Sequence, residues 1–192
     1  MNCFAAYTKK LRTTHYGYFL AILLASLGLV TGCNSKMKPT PDNFTQAINA
    51  YFLDRSECLF SNVRFPYATS DATVTKQMNT LVKSHLLDAS YESSVKTTRY
   101  TVTTTGARFA PRFCYGHRKV TAIDNFTQPQ KGPSGFPESH IDYHYTLQDI
   151  PVWAQSPDIA AAFPEMAQVT THGGSSQITL AQTLAGWQIP ER

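Results

Sequence analysis

The chain has 192 residues, of which 42% are hydrophobic, and this is enough to form one domain with its own core. Its formal net charge is +4, yet three of the 17 Lys and Arg lie within residues 1–32, where there is no Asp or Glu. Beyond residue 32, 14 basic side chains face 13 acidic ones, for a balance of +1. A nearly neutral chain lacks the strong positive field on which nucleic-acid-binding proteins depend.

The first 33 residues have the pattern of an export signal. Lys9, Lys10 and Arg12 precede an apolar run of twelve residues at positions 19–30. A helix needs roughly 20 apolar residues to cross a bilayer, so this run is too short for a permanent span. We therefore predict a signal peptide over residues 1–32 that is removed after export.

The apolar run ends in Val30-Thr31-Gly32-Cys33, which is a branched residue, two small residues and a cysteine. This motif resembles the lipobox of bacterial lipoproteins. The resemblance implies diacylation of the Cys33 sulfur, cleavage before Cys33 and acylation of the new amino terminus. It also implies a place in the cell envelope, and Asn34 favours the inner leaflet of the outer membrane, facing the periplasm. The alternative is an ordinary secretory signal with a chance cysteine at its cleavage point.

The four cysteines have different predicted fates. Cys3 leaves with the signal peptide and Cys33 takes the lipid. Cys58 and Cys114 remain as an even pair in an oxidising compartment, so we predict a disulfide between them. Two free buried thiols are the alternative, and a redox pair lacks support because there is no C-x-x-C motif.

Residues 33–43 are predicted to be a tether, and residues 44–192 a single globular α+β domain. The tether contains prolines and no apolar run, which is typical of an extended linker. Apolar residues at helical spacing predict a first helix over about 43–57, with Asp42 as its cap.

A second helix is predicted over about 71–89, and we interpret His85 within its apolar stripe as a packed core histidine. A strand rich in β-branched residues follows over about 95–105. This helix and strand resemble the last helix and first wing strand of winged-helix domains, with matching positions at Leu86, Leu87, Tyr100, Val102 and Gly106. The resemblance implies a packing geometry rather than DNA binding, because an exported chain does not meet nucleic acid.

The C-terminal half predicts a mostly antiparallel sheet that follows the two N-terminal helices. Strands are expected over 113–126 and 139–150, joined by a loop rich in Pro and Gly. In the second strand one face is apolar and the other polar, the apolar residues being Ile141, Tyr143, Tyr145 and Leu147. We further predict a short helix from Ser156 to Phe163 ended by Pro164, a loop or edge at 167–176, and strands at 177–183 and 187–189.

His140, Asp142 and His144 lie on the polar face of the strand at 139–150. Spacing of two residues along a strand aims side chains in one direction, and two imidazoles with a carboxylate are suitable zinc ligands. The sequence therefore offers these three residues as a candidate metal site. The alternative is the solvated face of an amphipathic strand, which is polar in any case.

A basic segment is the second candidate site, because residues 93–123 contain no acidic side chain. Guanidinium groups bind phosphates and carboxylates in two-pronged fashion, and aromatic residues interleave with the basic ones here. We predict binding of an anionic envelope component or a partner protein by Arg99, Arg108, Arg112, Arg118 and Lys119. The alternative is a solvated outer face of the sheet.

Enzyme signatures are missing from the sequence: there is no G-x-S-x-G, no H-E-x-x-H, no P-loop and no dinucleotide fingerprint. Ser175 lies near His172, but the sequence indicates no acid partner. We expect a non-catalytic, lipid-anchored envelope protein without a cofactor, whose partners are the membrane and an envelope polymer or protein. The alternative is a periplasmic hydrolase or metal-binding protein that uses the His140, Asp142 and His144 face.

Overall fold

The computed structural model describes residues 35–190. The predicted signal peptide and the lipidation motif at Cys33 lie outside the described residues. The chain divides into two units, residues 1–38 and residues 39–192. The described part of the first unit is a short 3-10 turn at Ser35–Met37, and all that follows concerns the second unit.

Four α-helices and nine strands are described. The helices are α1 (Pro41–Phe52), α2 (Ala72–Lys83), α3 (Pro157–Ala162) and α4 (Pro164–His172). The strands are β1 (Ser56–Cys58), β2 (Tyr67–Thr69), β3 (Leu87–Glu92), β4 (Thr97–Val102), β5 (Cys114–Phe126), β6 (Gln130–Lys131), β7 (Pro137–Gln148), β8 (Gly174–Thr183) and β9 (Gly186–Gln188). Among residues 35–190, no helix is long and apolar enough to cross a membrane.

The strands form two antiparallel sheets. The larger sheet has the order β1-β5-β7-β8-β9, with β6 also paired to β7, and the smaller one has the order β2-β4-β3. The predicted α+β class with a mostly antiparallel sheet is thus confirmed. However, β1 and β2 lie between α1 and α2, and α3 and α4 lie between β7 and β8. The predicted order of two helices followed by a sheet, and the winged-helix resemblance, are not confirmed.

Helix α1 begins and ends earlier than the sequence predicted. Its cap is Thr40 rather than Asp42, since the Thr40 hydroxyl accepts a hydrogen bond from the amide of Asn43 at 3.4 Å. Asp42 instead occupies the first turn, where a carboxylate favours the positive end of the helix dipole. The helix ends at Phe52 because the chain then pairs with β5 as strand β1.

Helix α2 is capped by Asp71, whose carboxylate accepts from the amide of Val74 at 2.8 Å. It ends at Lys83, before the predicted end, and the chain turns through His85 with a φ of 57°. The prediction of a packed His85 is wrong, because this residue lies beyond the helix and is exposed. Its neighbours Leu86 and Leu87 fill the core instead.

Helix α4 occupies a segment that was predicted to be loop or edge. Pro164 ends the preceding helix as expected, but it also serves as the first residue of α4, a position at which proline needs no amide hydrogen. The helix stops at Gly173, which has a φ of 70° and lies so close to the Tyr145 carbonyl that a Cβ would overlap it. This turn directs the chain immediately into β8.

Buried residues of the helices and of both sheets form one core. Phe44 and Ile48 of α1 are fully buried, and the Phe44 ring contacts Phe126 and Trp187 with centroids 5.0 and 4.8 Å apart. A second group of rings contacts edge to face near the start of β5, and it comprises Phe60, Phe65, Phe109, Phe113, Trp153 and Phe163. Such edge contacts add stabilisation to that of burial.

The predicted disulfide between Cys58 and Cys114 is present. The two residues are also register partners at the end of β1 and the start of β5. They are 56 positions apart, and closing a loop of that size stabilises the fold by about 4 kcal/mol in the chain-entropy model. The bond therefore holds β1 to the edge of the larger sheet.

Candidate functional site

The outer face of the larger sheet carries polar side chains on β7. Buried and exposed residues alternate along this strand, as its sequence pattern predicted. His140 and His144 are exposed and Asp142 is half-buried, whereas Ile141 and Tyr143 between them are in the core. Since β7 lies between β5 and β8, polar side chains of three strands meet on this face.

Asn125, Asp142 and Gln177 form one row across these strands. Asn125 on β5 opposes Asp142 on β7, which opposes Gln177 on β8. The three residues line an open groove of about 620 Å³, which we call the polar groove. Its walls also include Thr127, His140, Ile178, Thr179, Ile189 and Pro190. The groove thus offers amide, carboxylate, imidazole and hydroxyl groups beside an apolar wall.

His144 lies at the centre of a second row across the same strands. Its Nδ1 atom is 2.8 Å from the hydroxyl of Ser175, its register partner on β8. Its Nε2 atom is 3.1 Å from a carboxylate oxygen of Asp124 on β5. A carboxylate only accepts hydrogen bonds, so the contact with Asp124 requires the hydrogen on Nε2, and in the neutral imidazole Nδ1 then accepts from the serine hydroxyl.

A β-bulge places Asp124 within reach of His144. Ile123 opposes Tyr143 and Asn125 opposes Asp142, so Asp124 is an extra residue on β5 between two consecutive positions of β7. A bulge turns side chains that would otherwise point to opposite faces. As a result, Asp124 and Asn125 are both exposed, and the row of His144 gains a carboxylate.

The candidate metal ligands do not form one ligand set. His140 Nδ1 lies 2.9 Å from the hydroxyl of Thr179, and His144 contacts Ser175 and Asp124. Across residues 35–190, no three His, Cys, Asp or Glu side chains form a group that could hold a metal ion. The histidines of this face make cross-strand hydrogen bonds.

The five basic residues of the predicted anion site do not share one surface. Arg99 lies on β4 in the smaller sheet and pairs with Glu92 at 3.7 Å. Arg108 and Arg112 are exposed in the segment between β4 and β5, and Lys119 is exposed on β5. Arg118 differs from the other four because its guanidinium is largely enclosed, with a side-chain exposure of 21%.

Arg118 joins four strands and a helix from the inner side of the larger sheet. Its Nε atom donates to Glu57 on β1, and its Nη1 atom donates to Tyr143 on β7 at 3.2 Å and to Ser176 on β8 at 3.3 Å. The guanidinium also lies over the Tyr145 ring at 4.4 Å and over the Phe52 ring of α1 at 5.0 Å. Planar guanidinium groups favour such combined stacking and hydrogen bonding.

The charge of Arg118 is retained despite this enclosure. Burial alone disfavours the charged form, but the hydrogen bond to Tyr143 and the carboxylate of Glu57 outweigh it and raise the pKa of Arg118. Burial also raises the pKa of Tyr145 and raises the pKa of Tyr115 to about 12, to which the Glu57 charge contributes. The prediction that Arg118 binds an external anion is therefore not supported by its surroundings, since Glu57 already occupies it.

A second groove, of about 520 Å³, lies beside the disulfide. Most of its walls are apolar, with Leu59, Phe60, Val63, Met78, Phe163 and Met166 among them. Its polar residues include Gln77, Tyr115 and Glu165, and Gln77 already donates to the Ala162 carbonyl at 3.3 Å. This groove thus combines an apolar lining with a carboxylate and a phenol.

The sequence pattern does not identify Asn125, Gln177 and Asp124 as site residues, and it indicates no acid partner for Ser175. Pairing of the two predicted strands at 113–126 and 139–150 could have suggested that Asp124 lies near the histidines. The bulge that selects Asp124 has no signature in the sequence, because it depends on the register between β5 and β7. The contact between Asp124 and His144 can therefore be identified only when the strand pairing is known.

No protein-family model, no curated protein and no solved structure matches this chain. A function is therefore inferred from the chemistry of the side chains on these faces.

Arg118→Ala should lower the free energy of unfolding by about 2–3 kcal/mol, since it leaves the Glu57 carboxylate enclosed without its partner. The loss stays below that of a fully buried pair because the side chains are 21% and 26% exposed. Urea unfolding measures the change. Arg108→Ala is the control, and its exposed side chain should alter stability by less than about 0.5 kcal/mol. Equal losses in both variants would contradict the role given to Arg118.

Alkaline pH should destabilise the domain through its buried tyrosines. The folded-state pKa of Tyr115 is about 12 against an ordinary value of 10.0, so folding favours the neutral phenol. Its contribution is complete below pH 10 and is lost as the pH rises towards 12. Tyr115→Phe should therefore reduce the fall in unfolding free energy between these pH values by on the order of 1–2 kcal/mol. Tyr91→Phe, at a residue that is 65% exposed, should leave the pH profile unchanged.

Proposed function

We propose that this protein is a lipoprotein of the bacterial cell envelope, anchored through Cys33 in the inner leaflet of the outer membrane and facing the periplasm. The lipobox-like motif and the short apolar run before it support this proposal. The Cys58–Cys114 disulfide is consistent with it, since such bonds persist in oxidising compartments. A tether of about ten residues holds the domain near the membrane surface.

We propose further that the domain binds a hydroxyl-bearing envelope polymer, namely the glycan strands of the cell wall, in the polar groove. The observation that carries this proposal is the Asn125–Asp142–Gln177 row, in which two amides flank a carboxylate across three rigid strands. An amide both donates and accepts hydrogen bonds, and a carboxylate accepts from two neighbouring hydroxyls. This combination matches adjacent hydroxyls of a sugar ring.

The shape of the polar groove also fits such a ligand. Its volume of about 620 Å³ lies within the usual range for small-ligand sites. Ile189 and Pro190 give it an apolar wall, against which the C–H face of a sugar ring can pack. The groove is open along the sheet, so a long polymer can enter it without threading a closed cavity.

Binding of an anion by the basic residues has weaker support. Arg118 is paired with Glu57, and Arg99 with Glu92. The other three basic residues are exposed: Arg108 and Arg112 between β4 and β5, and Lys119 on β5. Surface charges of this kind act through a field that salt screens within about 8 Å at physiological ionic strength. Salt dependence therefore separates this alternative from recognition by the polar groove.

Cys33→Ser should remove the protein from the outer membrane. Without the lipid chains the predicted anchor to that membrane is lost, so the protein should leave the outer-membrane fraction. Cell fractionation with immunoblotting measures the shift, and Cys3→Ser is the matched control. A protein that stays in the outer-membrane fraction after Cys33→Ser would contradict lipid anchoring.

Asn125→Ala combined with Gln177→Ala should weaken binding of the full chain to insoluble peptidoglycan by about tenfold, as expected for the loss of two hydrogen-bonding groups. Co-sedimentation in detergent measures the bound fraction. Arg108→Ala with Arg112→Ala should leave binding unchanged, and so should an increase in salt. Binding that instead falls with salt and with the arginine pair would support the anion alternative and exclude the polar groove.

A further inference from the structure

Ser175, His144 and Asp124 contact one another in the order that a base-activated hydroxyl requires. The Ser175 hydroxyl lies 2.8 Å from His144 Nδ1, and Asp124 lies 3.1 Å from His144 Nε2. In nucleophilic enzymes the base is within roughly 2.6–3.2 Å of the nucleophile, and a third group orients the base. The two nitrogens exchange the roles that they have in serine proteases, but either nitrogen of a neutral imidazole can accept a proton.

The row is accessible as well as connected. His144 and Asp124 have side-chain exposures of 52% and 42%, and Ser175 is also exposed. Exposed pairs of this type contribute little to folding, with a typical value below about 1 kcal/mol. The contact between Asp124 and His144 therefore adds too little stability to account for the β-bulge that creates it. Bulges are frequent next to active sites, where they redirect a side chain.

We propose that Ser175 is a nucleophile that cleaves acyl esters, with His144 as its base and Asp124 as a residue that positions His144. This activity does not depend on binding in the polar groove. The row lies two positions along β7 from the nearest groove row, that of Asp142, so an ester carried on a bound polymer would be close to Ser175.

The reaction balances with the groups present and water. The Ser175 oxygen forms a bond to the acyl carbon while its proton passes to His144 Nδ1. The ester C–O bond then breaks, and the leaving alcohol takes the proton from His144. Water next attacks the acyl-serine with His144 as base, which releases the carboxylic acid and restores the Ser175 hydroxyl.

The edge of β8 beside Ser175 supplies the type of donor that the developing negative charge needs. β9 pairs with β8 only at residues 181–183. In the described part of the chain, residues 174–180 therefore have a strand partner on the β7 side alone. Every second backbone amide along an open edge points away from the sheet, and an outward amide near Ser175 is the kind of donor that stabilises an oxyanion.

The same pair of strands contains an internal comparison. His140 lies four residues before His144 on β7, and its register partner Thr179 lies four residues after Ser175 on β8. The His140 Nδ1 atom is 2.9 Å from the Thr179 hydroxyl. This pair has a secondary hydroxyl, and its histidine has no carboxylate contact among the described ion pairs. Ser175 should react and Thr179 should not, although both hydroxyls contact an imidazole.

The test is covalent labelling of the full chain in detergent with a fluorophosphonate probe, and hydrolysis of p-nitrophenyl acetate in parallel. The serine oxygen displaces fluoride from phosphorus, and mass spectrometry locates the adduct. We expect the adduct at Ser175, a labelling rate about 100-fold lower in His144→Ala, and a smaller reduction in Asp124→Asn. Ester hydrolysis should fall in the same order and vanish in Ser175→Ala.

Ser93→Ala and Thr101→Val, at exposed hydroxyl-bearing residues outside both the polar groove and the His144 row, are the controls and should retain the labelling rate of the unaltered chain. Circular dichroism checks that each variant is folded, as expected for exposed positions. An intact chain that gives no adduct at Ser175 would overturn the proposal. So would a Ser175 adduct that forms at the same rate after His144→Ala, since the imidazole would then have no part in activation. These outcomes are separate from peptidoglycan binding, which the small probe does not require.

Discussion

The ion pair between Arg118 and Glu57 is the interaction on which the arrangement of the larger sheet depends. Arg118 reaches β1 through Glu57, β7 through Tyr143 and β8 through Ser176, while its flat face covers Tyr145. Two enclosed charges are stable only when they are paired and when their remaining hydrogen bonds are satisfied. One guanidinium therefore fixes the mutual register of strands that are far apart in sequence.

The same register determines which side chains meet on the outer face of the larger sheet. Side chains of a strand alternate between faces, so a slip of one residue would exchange the inner and outer sets. The contacts of Tyr143 and Ser176 with Arg118 on one face thus determine which neighbours His144 and Ser175 meet on the other. Polar contacts inside the domain and the candidate reactive row outside it are two results of the same pairing.

Features set by local pattern could be predicted from the sequence, whereas features set by long-range pairing could not. The alternation of β7 identified its buried and polar faces, and the compartment implied by the signal identified the Cys58–Cys114 bond. By contrast, the partners Glu57 and Arg118 are 61 positions apart, and nothing in the sequence links them. The same reason applies to the basic segment: closeness along the chain groups Arg99 with Arg118, whereas strand pairing puts them in different sheets.

For a chain exported as proposed, the disulfide between β1 and β5 would form only after translocation. In the reducing cytoplasm the cross-link is absent, and the native state lacks the roughly 4 kcal/mol that loop closure provides. Without the cross-link, β1 is held less firmly against β5. The contact between Glu57, which adjoins Cys58, and Arg118 on β5 is then weaker as well. A chain exported as proposed would therefore remain easier to unfold before translocation than after it. Oxidation after export would then stabilise the folded domain on the far side of the membrane.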